Sequence, residues 1–236
     1  MFHVCYVQNM SIYYTQKYSF EYPFVEDDGT PMIMCTISVP DLMGIFCRRI
    51  GRYPRSFFDC GAATGVMVAM AQGYGMHARG IDVRRYTAHQ PTAKFTEHLF
   101  ANGHIKIESI LDTAPIDADL AYCNGTLTYM NEMTLPLALS KFKNVGMLIA
   151  IHNTTEDIVA AERIGDPIVH SEPRLIRSNQ WWLDVFRKNG FRAEFNAQYK
   201  CFCVRPLHTK LQANRLQRFN KCAGIQLAYA GRISVR

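Results

Sequence analysis

No apolar run in the 236-residue chain approaches the ~18 residues of a membrane-spanning helix, which excludes an integral helical membrane protein. The N-terminus has no charged head followed by an apolar stretch. No secretory signal is expected, and the cytoplasm is the expected compartment. Internal repeats and low-complexity stretches are missing, which argues against solenoids and fibres. Apolar residues make up 48% and charged residues 19%, so a disordered chain is excluded too. No Cys-x-x-Cys pair occurs among the eight cysteines (5, 35, 47, 60, 123, 201, 203 and 222), so reduced thiols are the expectation. Cys201 and Cys203 alternate on a predicted strand with only His208 close behind. That is too thin a ligand set for zinc, and no metal is expected. Acids are absent from Pro206 onward, where six basic residues stand (Lys210, Arg215, Arg218, Lys221, Arg232, Arg236). These account for the whole net charge of +6, so the body is neutral. A polyanion would meet the tail rather than the body. A solvated terminus is the plainer reading of the same charges.

The first 24 residues contain eight aromatics (Phe2, Tyr6, Tyr13, Tyr14, Tyr18, Phe20, Tyr22, Phe24). Such density suggests a segment that packs on its own core, lids a pocket or meets a partner. Residues 1–40 are therefore set apart from a domain over 41–205 and a basic tail over 206–236. Val25 to Pro31 is a turn by composition. Asp41 to Ile50 carries Leu42, Ile45, Phe46 and Ile50 on one helical face, and Gly51 and Pro54 end it. The chain then alternates. Strands are predicted at Ser56–Cys60, His77–Asp82, His104–Ser109, Asp119–Cys123 and Val145–Ile151. Helices are predicted at Val66–Gln72, before Asn102-Gly103, at Met133–Phe142, and from Ser178 to Gly190. Phe191–Asn196 and Tyr199–Arg205 are close enough to pair antiparallel. The fold class is α/β: a doubly wound, mainly parallel seven-stranded sheet with helices on both faces and the last strand antiparallel. Such sheets bind ligands beyond the carboxyl ends of their strands, where strand order reverses. Functional residues should therefore gather near 60, 82, 109, 123 and 152.

Phe57-Phe58-Asp59-Cys60-Gly61-Ala62-Ala63-Thr64-Gly65 leaves a short strand and opens a helix. Glycines there allow a tight turn and close approach of a ligand. Seventeen residues after Gly65 the next strand ends on Asp82, an acid placed to accept both hydrogen bonds of a ribose diol. The loop is not Gly-x-Gly-x-x-Gly and has no Gly-Lys-Ser/Thr, so neither dinucleotide nor Walker chemistry fits. Asp59 would repel a diphosphate and suit an ammonium or sulfonium group.

Asp59-x-Gly61-x-x-x-Gly65 with Asp82 ending the second strand resembles the cofactor site of the Rossmann-like (class I) S-adenosylmethionine-dependent methyltransferases. The resemblance runs from about Phe46 to Arg205. It implies S-adenosyl-L-methionine as cofactor, with Gly61, Ala62 and Gly65 along its amino-acid part and Asp59 near its amino group. Asp82 would take the ribose, with Val83, Arg84 and Tyr86 beside the adenosine. The family's acid at the end of the third strand is replaced, by register, with Ser109. That leaves Ser109 and Ile110, or Asp112 by chemistry, for adenine. Asn124 and then Tyr129, after the fourth strand, would stand beside the sulfonium methyl, although Asn124-Gly125 also reads as a simple turn. His152, ending the fifth strand, is a candidate general base, or a histidine that merely bonds a neighbouring loop. Glu156 and His170 are weaker candidates. In-line displacement at a sulfonium can also proceed by positioning alone.

The motifs of base-amino, cytosine-C5 and ribose-hydroxyl methyltransferases are absent. The implied reaction is methyl transfer to an unidentified acceptor, with a small molecule favoured. An RNA or protein acceptor through the basic tail is the alternative. So is a non-catalytic subunit that keeps the pocket, or another enzyme using the cofactor or a nucleoside differently. Oligomeric state is not indicated. Thr154–Ile176 is a 23-residue connection with five acids, long enough to be functional or to carry its own helix. Trp181 and Trp182 read as core.

Overall fold

The structure, a computed structural model, describes residues 20–25, 31–85, 87–88, 93–164 and 174–207. Most of the aromatic N-terminal segment, the basic tail with its six cations, Tyr86, His170 and the centre of the predicted turn before Pro31 lie outside these residues.

The first elements among the described residues are β1 (Phe20–Val25) and β2 (Pro31–Thr36), which pair antiparallel. Helix α1 (Val39–Ile50) starts two residues earlier than its apolar face predicts. Ser38 caps it by accepting from the Asp41 amide at 3.3 Å, and Pro40 fits the first turn, where its missing N–H is harmless. Gly51 closes the helix in the left-handed conformation with φ 80°.

Strand β3 (Ser56–Cys60) leads into α2 (Val66–Gly73), β4 (His77–Asp82) and a two-residue β5 (Thr87–Ala88). Helix α3 (Ala93–Ala101) precedes β6 (Ile105–Ile107). β7 (Leu120–Asn124) runs into a 3₁₀ turn, Thr126–Tyr129, and then α4 (Leu135–Ser140). β8 (Met147–Ile151) is followed by α5 (Thr155–Arg163), α6 (Asn179–Lys188), β9 (Phe191–Asn196) and β10 (Cys201–Pro206).

Strand order in the main sheet is β6-β4-β3-β7-β8-β10-β9. All neighbours pair in parallel except β10, which runs antiparallel to both β8 and β9. This is the predicted seven-stranded sheet with its last strand reversed. The chain builds outward from β3 to β4 and β6, then crosses back to β7 on the other side. The order therefore reverses between β3 and β7. There adjacent connections leave for opposite faces, the place beyond the strand ends where sheets of this kind form a ligand crevice.

Alternation along the strands divides the core in two. One layer holds Phe58, Cys60, Ala121, Cys123, Leu148 and Phe202 under α4 and α6. The other holds Phe57, Tyr122, Ile149, Ile151, Cys201 and Cys203 under α1, α2 and Leu99 of α3. The alternating Cys201 and Cys203 thus share one face, as their spacing predicts. Trp182 belongs to the first layer, which is the core role expected of it.

Three local differences have clear causes. β6 ends at Ile107 because Ser109 starts a turn, its carbonyl accepting from Asp112 and Thr113 at 3.0 Å each. α4 is shorter than its periodicity because Asn131 turns the chain first, accepting from the Met133 and Thr134 amides at 3.0 and 2.8 Å. The long acidic connection carries its own helix, α5, started by a reciprocal Thr154–Asp157 capping box. The β1–β2 hairpin was not foreseen as strands. It continues into β5, forming a second sheet in the order β2-β1-β5. β5 begins five residues after Asp82, so the hairpin is anchored just past the exit of β4.

Candidate active site

The loop between β3 and α2 is folded tightly onto β4. The amides of Gly61 and Ala62 both donate to the Ile81 carbonyl at 2.9 Å. Gly61 has φ 87° and Gly65 φ 88°. A Cβ on Gly61 would lie 1.9 Å from the Thr126 Oγ1, so the loop and the 3₁₀ turn after β7 touch backbone to side chain. Thr126 Oγ1 itself donates to the Cys60 carbonyl at 2.9 Å, tying the exits of β3 and β7 together. The two glycines of the sequence motif are therefore demanded by the fold of the loop, and Ala62, buried, lies between them.

Asp82 ends β4 and closes the loop from the other side. Its carboxylate accepts from the Ala63 amide at 2.8 Å and from the Arg84 amide at 3.3 Å. Burial raises its pKa, opposed by these backbone N–H groups and by the Arg84 charge. Val83 follows, with 68% of its surface exposed. A β-branched side chain standing in the open just past the acid offers a flat apolar face beside the Asp82 carboxylate.

Asp59 is only 2% exposed. It alternates with Phe57 and points to the α1–α2 side of the sheet. Its carboxyl accepts no hydrogen bond among the described residues, and burial, then Cys123 and Asp82, push its pKa well above the usual range. A buried carboxyl without a donor is costly by itself and favourable beside a cation. The Asp82 carboxylate is near enough to disfavour charge on Asp59. Together with the glycine cradle they fit a ligand that carries an ammonium or sulfonium centre and a ribose diol.

The third strand's exit is less suited to adenine than its register suggests. Ser109 turns its hydroxyl back to accept from the Leu111 amide at 3.2 Å. Ile110 is buried in the first core layer rather than lining the rim, and Asp112 is exposed. The Glu108 amide donates to the Asp82 carbonyl at 2.7 Å, so this exit still abuts the acid.

Asn124 is the last residue of β7, level with Ile151 on β8. The Gly125 amide donates to the Ile151 carbonyl at 2.8 Å. The Asn124-Gly125 turn is real, and it places Asn124 at the mouth rather than removing it. Tyr129, 47% exposed, ends the 3₁₀ turn. Its hydroxyl accepts from Arg174 Nη2, and the Arg174 guanidinium lies 4.6 Å from its ring centroid. Arg174 and Thr126 are polar groups at this rim, among the described residues, that were not anticipated as site residues. The only sequence signal for Arg174 is its place at the end of an over-long connection.

His152 is 2% exposed. Its ring stacks on Trp182 at 4.0 Å and lies 5.5 Å from Phe202 and 6.3 Å from Phe186. It follows β8 as predicted, but within the aromatic core layer. Glu156 accepts from the Asn179 amide at 3.1–3.2 Å, so it caps α6.

This sheet, in the order β6-β4-β3-β7-β8-β10-β9 with β10 reversed and helices around it, is the fold of the class I S-adenosylmethionine-dependent methyltransferases. No family model matches the sequence, and no curated protein matches it either. Among solved structures the chain is similar to the small RNA methyltransferase HEN1, with a TM-score of 0.52 and 14% identity over 72% of this chain and 25% of that one. It is also similar to magnesium protoporphyrin IX methyltransferase from Synechocystis PCC 6803, with TM-score 0.47 and 13% identity over 70% of this chain and 80% of the other. A third likeness is to a 1,6-didemethyltoxoflavin-N1-methyltransferase from Burkholderia thailandensis, at TM-score 0.45 and 12% identity over 70% and 75%. The chain spans about a quarter of the length of HEN1. No described helix is long and apolar enough to cross a membrane.

Proposed function

We propose that the chain binds S-adenosyl-L-methionine at the carboxyl ends of β3 and β4 and transfers its methyl group to a small-molecule acceptor. The observation that carries this reading is the pairing of a glycine cradle with two buried acids. Gly61 is held against Thr126, and Asp82 is locked to the loop through the Ala63 amide at 2.8 Å. Asp59 would hold the amino group, Asp82 the ribose, and Val83 one face of the adenosine. When bound, the cofactor supplies an electrophilic methyl on a sulfonium, whose attack needs alignment more than proton chemistry. Asn124 and Tyr129 would line the acceptor's approach beyond β7. The neutral body of the domain supports a small acceptor over a polyanion, since only the tail carries excess positive charge.

Two observations favour a second reading. The candidate base His152 is stacked within an aromatic core cluster, and the third-strand acid is replaced by a serine that serves its own turn. A protein that keeps the pocket and assists a partner would show this pattern. Incubation with methyl-labelled S-adenosylmethionine and a fractionated small-metabolite extract separates the two. Labelled product and S-adenosylhomocysteine are expected from the enzyme. Cofactor binding with no label transferred to any fraction would support the partner role.

A further inference from the structure

We propose that Arg174 is the acceptor-recognition residue of this site, and that the acceptor carries a carboxylate or phosphate group beside an apolar body. This rests on the cofactor reading above and names the substrate class for the same mouth. The segment starting at Arg174 lies along the turn that leaves β7. The Leu175 amide donates to the Thr128 carbonyl at 2.6 Å, which fixes the backbone one residue from the guanidinium. The side chain is then held twice by Tyr129, through the ring face 4.6 Å away and through the hydroxyl. Its Nη1 is 3.9 Å from the position of a Cβ on Gly125. Gly125 stands between Asn124, the end of β7, and Thr126, which packs on Gly61. The charge is therefore on the rim that the glycine loop shares, on the acceptor side.

Nothing within the described structure neutralises it. No carboxylate pairs with Arg174 among the described residues. The nearby Glu132 is engaged by Arg177 at 3.1 Å. Among the described residues no acceptor meets the Arg174 Nε, which is buried. A guanidinium that is positioned but leaves a buried N–H without an acceptor is unfavourable by itself. The groups that match its planar fork are carboxylate and phosphate, which accept two parallel N–H bonds. Because tyrosine already orients the fork, little further ordering would be needed on binding. Tyr129 is itself half-exposed and provides the apolar wall beside the charge.

The test uses the full chain saturated with S-adenosylhomocysteine, titrated separately with benzoate, phenyl phosphate and neutral benzamide. Binding is followed by calorimetry and by the ¹⁵Nε–¹Hε resonance of Arg174. Saturable binding of benzoate or phenyl phosphate is expected, with a shift of that resonance, and the stronger of the two identifies the anion. Benzamide should bind at least about tenfold more weakly, since it cannot accept a charged fork. Arg174→Gln should abolish anion binding, and Arg174→Lys should retain a weakened fraction, both with S-adenosylhomocysteine affinity unchanged. Equal binding of benzamide, no saturable binding of either anion, or full anion affinity in Arg174→Gln would overturn the proposal. S-adenosylhomocysteine binding is measured in the same samples, so failure of the cofactor reading is seen separately.

Discussion

Replacing Gly61 by Ala probes the loop where the geometry is most restrictive. Two penalties are separable. The first is conformational: Gly61 has φ 87°, and an L-residue forced there costs roughly 1–2 kcal/mol. The second is steric: the new Cβ would lie 1.9 Å from Thr126 Oγ1 and 3.2 Å from Thr126 Cβ, and overpacking of this kind costs about 1–3 kcal/mol. Together they predict a loss of about 2–5 kcal/mol, or roughly 5–20 °C in Tm for a domain of this size. Gly75 provides the control. It has φ 78° but nothing within 4 Å of an added Cβ, so Gly75→Ala should lose only the conformational part. Thr126→Ala alone loses the hydrogen bond to the Cys60 carbonyl, about 1 kcal/mol. Combined with Gly61→Ala it removes the clashing oxygen. The double variant should therefore be more stable than the sum of the singles by ~1–3 kcal/mol. Thermal or urea unfolding of the four variants measures this. Gly61→Ala no worse than Gly75→Ala, or strict additivity with Thr126→Ala, would refute the packed-loop reasoning.

Asp82→Ala should weaken S-adenosylhomocysteine binding by ~1–3 kcal/mol, because a charge-assisted ribose contact is lost and the Ala63 amide loses its acceptor; unchanged affinity in a folded variant removes Asp82 from the site. Asp59 has a folded pKa raised by burial, so its contribution to stability falls as pH rises from the unfolded carboxyl value through the folded one. Asp59→Asn should accordingly raise Tm at neutral pH by a few degrees, about 1 kcal/mol, with the gain vanishing near pH ~3 while cofactor binding weakens; a lower Tm at neutral pH in that variant contradicts the uncompensated carboxyl. Asp119 shows the opposite sign. Burial pushes its pKa up, but the bidentate Arg52 and the Arg55 amide outweigh this and hold it low. Its stabilisation is present above the unfolded value of ~3.9 and lost as pH falls through the folded pKa. Asp119→Asn should therefore lose about 1–2 kcal/mol at pH ~7 and progressively less as pH falls below the unfolded carboxyl value, as followed by unfolding across pH, with allowance for the partly exposed Arg52.

The alternation of short apolar strands with helices was enough to place the seven-stranded sheet, because each element carries its own period and its own stop signal. Gly51 and the Ser178 cap are examples. The proposed cofactor side could be put forward from sequence for the same local reason: Asp59, Gly61, Gly65 and Asp82 lie within 24 consecutive residues on two adjacent strands and one loop. The proposed acceptor side could not. Arg174 meets Tyr129 across 45 residues, a contact set by how the segment before α6 packs, which no sequence period encodes. His152 looked like a base because it ends a strand at the right rim. Its ring is instead taken up by Trp182, 30 residues on, through packing of α6 on the sheet. The β1–β2 hairpin was not read as strands although Phe20, Tyr22 and Phe24 alternate along β1, and its third strand, β5, is only two residues long.

Calorimetric titration of the purified full chain with S-adenosylmethionine and with S-adenosylhomocysteine tests the central claim most directly. Saturable one-site binding of both, weakened in Asp82→Ala, is the predicted result. Absence of binding by either ligand to the folded protein would contradict a cofactor site at the ends of β3 and β4.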